Sequence, residues 1–287
     1  MTSVVVALLA VACAAPGGSG SPATEPEAQL GSTLECPWDE SDPGMRTFIV
    51  SGQSNMVAAG GIPETFPAAY RAGTDRLQMF DGGTWKRLGI PASGKWGPEI
   101  AFAWTMHAAC PDSDIGFIKY AVGGTSIDLW VPGALHGSTL ESKITAAWQA
   151  RPGLSFEGFL FQQGGADMHT RERAESWGDD YLSIVDYLRG TPQVPDDMPF
   201  LHGTYRTGSI PDDLTGLDPD SIPSPAPDRP FAVHVSVEQW NVQAERPGVH
   251  AVVHRDLPVL GDGIHWTPDG IRAAGRNFAD AFVNEAS

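Results

Sequence analysis

From residue 46 to the C-terminus, short apolar runs of strand character alternate with segments of helical period, and few architectures accommodate that order. Residues 47–51 (TFIVS) and 115–122 (IGFIKYAV) read as buried strands, 155–161 and 199–205 as weaker ones, and 250–254 as a fifth. Between them, 139–150 and 172–188 read as helices. The last helix has the plainest signal. Thr267 stands at the N-cap, Pro268 at the first helical position and Asp269 in the first turn; Ile271, Ala274, Phe278 and Phe282 then recur on one face. Strands and helices in this order imply an α/β fold with a mostly parallel sheet covered on both sides. In such sheets sites form at the C-terminal ends of strands, so the residues that follow each apolar run matter most.

Residues upstream of 46 do not share the pattern. Residues 4–15 (VVVALLAVACAA) are apolar, too short to cross a bilayer and of the length of a signal-peptide core. Ala10-Val11-Ala12-Cys13 is similar to a bacterial lipobox, with small residues before a Cys; an ordinary secretory leader is the alternative. Residues 1–15 are therefore expected to be a leader. Residues 16–45, rich in Gly, Pro, Ser and Glu, are expected to be a disordered linker and lead-in. Residues 46–287 remain for one domain. The protein is expected to be secreted, or lipid-anchored through Cys13 at the bacterial cell envelope. Cys36 and Cys110 form an even pair in an exported chain; a disulfide and two buried thiols both remain open. The formal charge of −17 argues against nucleic acid or an anionic membrane as the main partner, because phosphate binding needs clustered cations.

Four strand ends carry the chemistry. After the first run comes Gly52-Gln53-Ser54-Asn55-Met56, which exposes a Ser hydroxyl at the sheet edge and turns its own N–H toward a developing oxyanion. After the second comes Ala121-Val122-Gly123-Gly124-Thr125-Ser126, where the glycines let backbone N–H groups approach a ligand. After the third comes Gln162-Gln163-Gly164-Gly165-Ala166-Asp167. Before the last helix stands Gly261-Asp262-Gly263-Ile264-His265-Trp266. An Asp three residues before a His can hold the imidazole through Nδ1 and leave Nε2 to take a proton from Ser. A Ser hydroxyl needs such a base, being a weak nucleophile at neutral pH. Each motif alone also fits an ordinary turn or N-cap; the four in this order are harder to explain that way.

Together, Gly52-Gln53-Ser54-Asn55-Met56, Gly97-Pro98-Glu99, Gly123-Gly124-Thr125-Ser126 and Asp262-Gly263-Ile264-His265 resemble the SASA domain. This is the sialate O-acetylesterase and acetyl xylan esterase group (carbohydrate esterase family 6) of the SGNH hydrolases. The resemblance spans Arg46 to Ala286. It implies a flavodoxin-like three-layer sandwich and deacetylation of carbohydrate esters without metal or cofactor. It implies Ser54 as nucleophile, His265 as base and Asp262 as its orienting partner, with the N–H groups of Ser54 and Gly124 as oxyanion donors. Gln53, Gln163 and Trp266 are the expected substrate contacts. One motif departs from the family pattern of Gln-Gly-Glu-Ser followed by Asp or Asn: Gly165 stands in place of the Glu. Asp167 occupies the position of a third oxyanion donor, yet an ionised carboxylate cannot donate. It would serve only when protonated, or by positioning a neighbour.

Other residues carry less. His169 stands two positions from Asp167. His250 and His254 would share a strand face, but no zinc pattern includes them, so no metal is expected. Trp130, Trp177 and Trp266 stand near motif ends and could stack on sugar rings, against a core-packing alternative for most of the tryptophans. The Pro- and Asp-rich stretch 206–229 reads as a long loop, either bordering the cleft or a plain surface excursion. The leading reading is a serine esterase that removes O-acetyl groups from carbohydrates. A general short-chain carboxylesterase and a non-catalytic carbohydrate-binding lipoprotein that kept the fold are the alternatives, the latter favoured by Gly165 and Asp167 alone.

Overall fold

A computed structural model of the protein describes residues 34–39, 44–57, 68–90, 96–206 and 210–286. The expected leader, Cys13 and the linker through residue 33 lie outside the described residues. Among those described, β1 (Arg46–Gly52), β2 (Leu77–Asp81), β3 (Thr84–Arg87), β4 (Ile115–Ala121), β5 (Ser155–Gln162), β6 (Phe200–Arg206) and β7 (Val249–Arg255) form one sheet. Its order is β3-β2-β4-β1-β5-β6-β7, and every pair is parallel except the β2–β3 hairpin. Taken alone, β4-β1-β5-β6-β7 has the 2-1-3-4-5 order of a flavodoxin-like sheet, with the hairpin added beyond β4. The chain reverses direction of winding at β1, so the crevice of such a sheet opens where β1 ends.

The helices are α1 (Ser54–Val57), α2 (Ala68–Ala72), α3 (Glu99–Ala109), α4 (Leu135–Ala150), α5 (Arg171–Arg189), α6 (Ala232–Glu245) and α7 (Pro268–Ala286). One face of the sheet is covered by α3 and α7, where Phe48 of β1 meets Phe102 at 4.7 Å and Phe282 at 5.0 Å between ring centroids. On the other face Phe161 of β5 stacks on Tyr181 of α5 and Trp148 of α4 on Phe156. The result is the expected three-layer sandwich. Thr267 Oγ1 caps α7 by accepting from Gly270 N–H at 3.2 Å. Ile271, Ala274, Phe278 and Phe282 are all buried, as their spacing requires.

Several elements differ from expectation. Residues 34–39 are no disordered lead-in: Trp38 Nε1 donates to Glu157 Oε2 at 3.1 Å, and Cys36 is bonded to Cys110 at the end of α3. The disulfide thus stands in place of two free thiols. The hairpin, α3 and α6 carry no clear periodic signal. Nearly every side of α3 is buried, so it has no polar face to mark a period. In α6, Val233, Val235 and Val237 alternate as a strand would. The stretch expected as a long loop indeed holds neither strand nor α-helix from 210 to 229, and it packs on α6, with Ile210 and Leu214 buried against Val233 and Val237.

Candidate active site

Three of the four motifs leave the sheet side by side. Gly52 at the end of β1 is in register with Ala121 of β4 and Gln162 of β5. Gly52 has φ of 132°, and a Cβ there would fall 2.2 Å from the Gln162 carbonyl oxygen, so only glycine lets β1 turn out of the sheet here. Gln53 N–H donates to that same carbonyl at 2.9 Å, and Val122 N–H donates to the Gly52 carbonyl at 2.9 Å. Ser54 follows at once, half-buried at the start of α1.

The fourth motif arrives from the far side. His265 Nε2 lies 2.8 Å from Ser54 Oγ, and His265 Nδ1 lies 2.5 Å from Asp262 Oδ2. The other carboxylate oxygen of Asp262 accepts from the N–H groups of Ile264 and His265, each at 3.0 Å. The bond to His265, followed by these backbone donors, holds the Asp262 pKa down to about 2. An ionised Asp262 fixes the Nδ1–H tautomer, which leaves Nε2 able to take the Ser54 proton.

The Gly123–Ser126 loop lies against the serine. A Cβ on Gly123 would fall 3.5 Å from Ser54 Cβ. Gly124 has φ of 73°, a backbone that favours glycine, and is exposed. The loop is fastened from beneath. Thr125 Oγ1 donates to the Val122 carbonyl at 2.9 Å and accepts from Trp130 Nε1 at 3.0 Å. Gln163 Nε2 donates to the Thr125 carbonyl at 3.0 Å and also to Asp167 Oδ2, while Gln163 Oε1 accepts from Trp177 Nε1 at 2.7 Å. Asp167 Oδ1 accepts from Ile127 N–H at 3.0 Å.

Four expectations are corrected here. Asp167 is no oxyanion donor: it is wholly buried, and both its oxygens accept N–H bonds that hold the loop bearing Gly124. Burial pushes its pKa up to about 6 against the lowering effect of the Gln163 and Ile127 bonds. Gln163 is wholly buried in the same network, so it braces the loop and does not meet substrate. Gln53 is also buried; its amide lies beside Gly165, where a Cβ would fall 2.5 Å from Gln53 Nε2. The room next to Gly165 is therefore taken. Trp266 is only 3% exposed, edge-on to His254 at 5.1 Å, and packs in the core like Trp130 and Trp177. None of the three can stack on a sugar. His169 is exposed, 3.1 Å from the Asp228 carbonyl. His250 and His254 do share a face, toward Glu285 and Asn277 of α7 respectively.

Sequence reasoning assigned no task to two groups near the site. Glu99 is buried at the start of α3, and its Oε1 accepts from Lys119 Nζ at 2.7 Å and Gly97 N–H at 3.1 Å, which ties α3 to β4. Asn55 is bonded to the loop that carries His265. Both stand inside motifs, yet nothing local reveals partners so distant in the chain.

A serine at the exit of the central strand of a 2-1-3-4-5 sheet, bonded to a His–Asp pair from the last loop, is the arrangement of the SGNH-type esterases. Within that class the chain belongs to the SASA family: the model described as "Carbohydrate esterase, sialic acid-specific acetylesterase" matches residues 44–284. It is thereby a carboxylic ester hydrolase. A probable carbohydrate esterase of Arabidopsis thaliana is 22% identical over 264 residues, covering 84% of this chain and 92% of its own. A crystal structure from Arabidopsis thaliana superposes with a TM-score of 0.68 at 20% identity, over 84% of this chain and 99% of that one. NanS superposes with a TM-score of 0.60 at 17% identity, over 85% of this chain and 97% of its own. A carbohydrate acetylesterase from Xanthomonas citri gives 0.57 at 19% identity, over 82% of this chain and 55% of that one.

Proposed function

We propose that this protein removes O-acetyl groups from carbohydrates through an acyl-enzyme, with Ser54 as nucleophile, His265 as general base and Asp262 as its orienting partner. The observation that carries this reading is the continuous chain Ser54 Oγ–His265 Nε2, His265 Nδ1–Asp262 Oδ2, at 2.8 and 2.5 Å. His265 takes the Ser54 proton as Oγ attacks the acetyl carbonyl. The N–H groups of Ser54 and Gly124 receive the oxyanion. As the tetrahedral intermediate collapses and its bond to the sugar oxygen breaks, His265 protonates that oxygen, which leaves as a hydroxyl; water activated by the same imidazole then releases acetate and frees Ser54. Asp167 and Gln163 act on this reaction only by holding the Gly124 loop.

Carbohydrate as the leaving group rests on the family and on relatives named as carbohydrate esterases. Export to the cell surface or beyond, with or without a lipid on Cys13, is supported by the Cys36–Cys110 disulfide, whose chemistry suits an oxidising compartment. The test is acetate release from acetylated xylan, O-acetylated sialic acid and p-nitrophenyl acetate. Turnover of a carbohydrate acetate, with kcat/KM at or above that of the small ester, is expected. Cleavage of the small ester alone would replace this reading with a general short-chain carboxylesterase.

A further inference from the structure

The loop that carries His265 leaves from β7, and β7 is three places from β1 in the sheet. Strand pairing therefore does not set the distance between His265 and Ser54. The loop shapes itself with internal bonds: Leu260 N–H to the His265 carbonyl at 2.7 Å, Gly263 N–H to the Leu260 carbonyl at 2.9 Å, and Thr267 N–H to the Pro258 carbonyl at 2.8 Å. These bonds fix how the loop is folded and leave open where it sits.

One side chain joins the loop to the serine's own turn. Asn55 Nδ2 donates to the Ile264 carbonyl at 3.1 Å, and Asn55 Oδ1 accepts from Trp266 N–H at 3.0 Å. The bonded groups belong to the residues on either side of His265. Asn55 is 2% exposed and is the chain neighbour of Ser54. A carboxamide is the short side chain that offers a donor and an acceptor together.

We propose that Asn55 is a positioning residue that sets the Ser54–His265 distance by gripping the peptide groups that flank His265. The inference rests on the reading of Ser54 as nucleophile and His265 as base. Asn55 touches no substrate in this account. It holds Nε2 within hydrogen-bond reach of Oγ, and a displacement of about 1 Å there is enough to lower turnover roughly 100-fold.

The test compares Asn55→Ala and the near-isosteric Asn55→Asp with the parent and Ser54→Ala on p-nitrophenyl acetate. It is accompanied by thermal unfolding and by the low-field proton NMR signal of the His265–Asp262 bond. Asp keeps an acceptor for Trp266 N–H but cannot donate to the Ile264 carbonyl. We expect kcat to fall roughly 100-fold in Asn55→Ala and by less in Asn55→Asp, with KM within about threefold of the parent. The low-field signal should persist, because Asp262 and His265 move as one loop. A kcat within threefold of the parent in a folded Asn55→Ala overturns the inference. So does a loss of kcat in both variants that tracks loss of the folded fraction and of the NMR signal, since that is a scaffold role. If Ser54→Ala hydrolyses as the parent does, the nucleophile reading falls and this inference with it. If Ser54→Ala is inactive and Asn55→Ala is not, only this inference falls.

Discussion

The side-chain amide of Gln53 occupies the space that a side chain on Gly165 would need: a Cβ there would fall 2.5 Å from Gln53 Nε2 and 3.0 Å from Ile264 Cδ1. The two residues belong to different motifs, and the smallness of one is matched to the burial of the other. Gly165→Ala should therefore destabilise the fold by about 1–3 kcal/mol through overpacking. In Gln53→Ala background the same change should cost less, because the obstructing amide is gone. Denaturant unfolding of the double-mutant cycle measures the coupling; strictly additive effects would show that the two do not compete for space.

Asp262→Asn should lower kcat by roughly two to four orders of magnitude. An amide N–H turned toward Nδ1 cannot accept its proton, and the favoured His265 tautomer is lost. With its pKa held to about 2, Asp262 stays ionised in the fold down to that pH. Its contribution to stability is present above the unfolded value near 4 and is lost as pH falls through about 2. No acid limb of kcat/KM above pH 4 should therefore belong to Asp262. A pH–rate profile of the parent that titrates above pH 4 and loses that limb in a still-active Asp262→Asn would contradict this.

Asp167 has the opposite sign. Its folded pKa, raised to about 6, exceeds the unfolded value near 4. Between those two values the folded state binds the extra proton, so stability falls as pH rises from about 4 to 6 and is level above. Asp167→Asn should remove that fall, worth at most about 3 kcal/mol. Unfolding free energies of parent and variant across pH 4–7 test it. Parallel curves would mean that Asp167 titrates alike in both states.

The Cys36–Cys110 bond closes a loop across 74 positions and pins residues 34–39 to the end of α3. On the chain-entropy account, replacing both cysteines by Ser should cost about 4 kcal/mol. Unfolding in denaturant measures this. Acetate release at 25 °C should be nearly unchanged, because the bond lies away from the Ser54–His265 contact.

The parallel core was legible because β1 and β4 are largely apolar runs, β5 is a weaker one, and each has a glycine at its end or within two residues beyond it; α7 was legible because its cap and its buried stripe are both local signals. The contacts among Ser54, His265 and Asp262 were legible from residue type and order. What a sequence does not give is the direction in which a side chain points. Gln53, Gln163 and Trp266 have the chemistry of ligand contacts, and all three face inward to brace loops or fill the core. Asp167 has the position of a donor and the bonds of an acceptor. The Asn55 clamp depends on a loop that leaves from β7, three places from β1 in the sheet, a relation no spacing encodes. The hairpin did carry a local mark, the Asp81-Gly82-Gly83-Thr84 turn between two short strands.

The most direct test of the central claim is covalent labelling of the full protein with a fluorophosphonate, followed by peptide mapping. One adduct per chain, on Ser54, with loss of acetate release in step with labelling, is the expected result; Ser54→Ala should take no label. An adduct on a different serine that also stops hydrolysis, or undiminished acetate release from a fully labelled Ser54, would contradict the account.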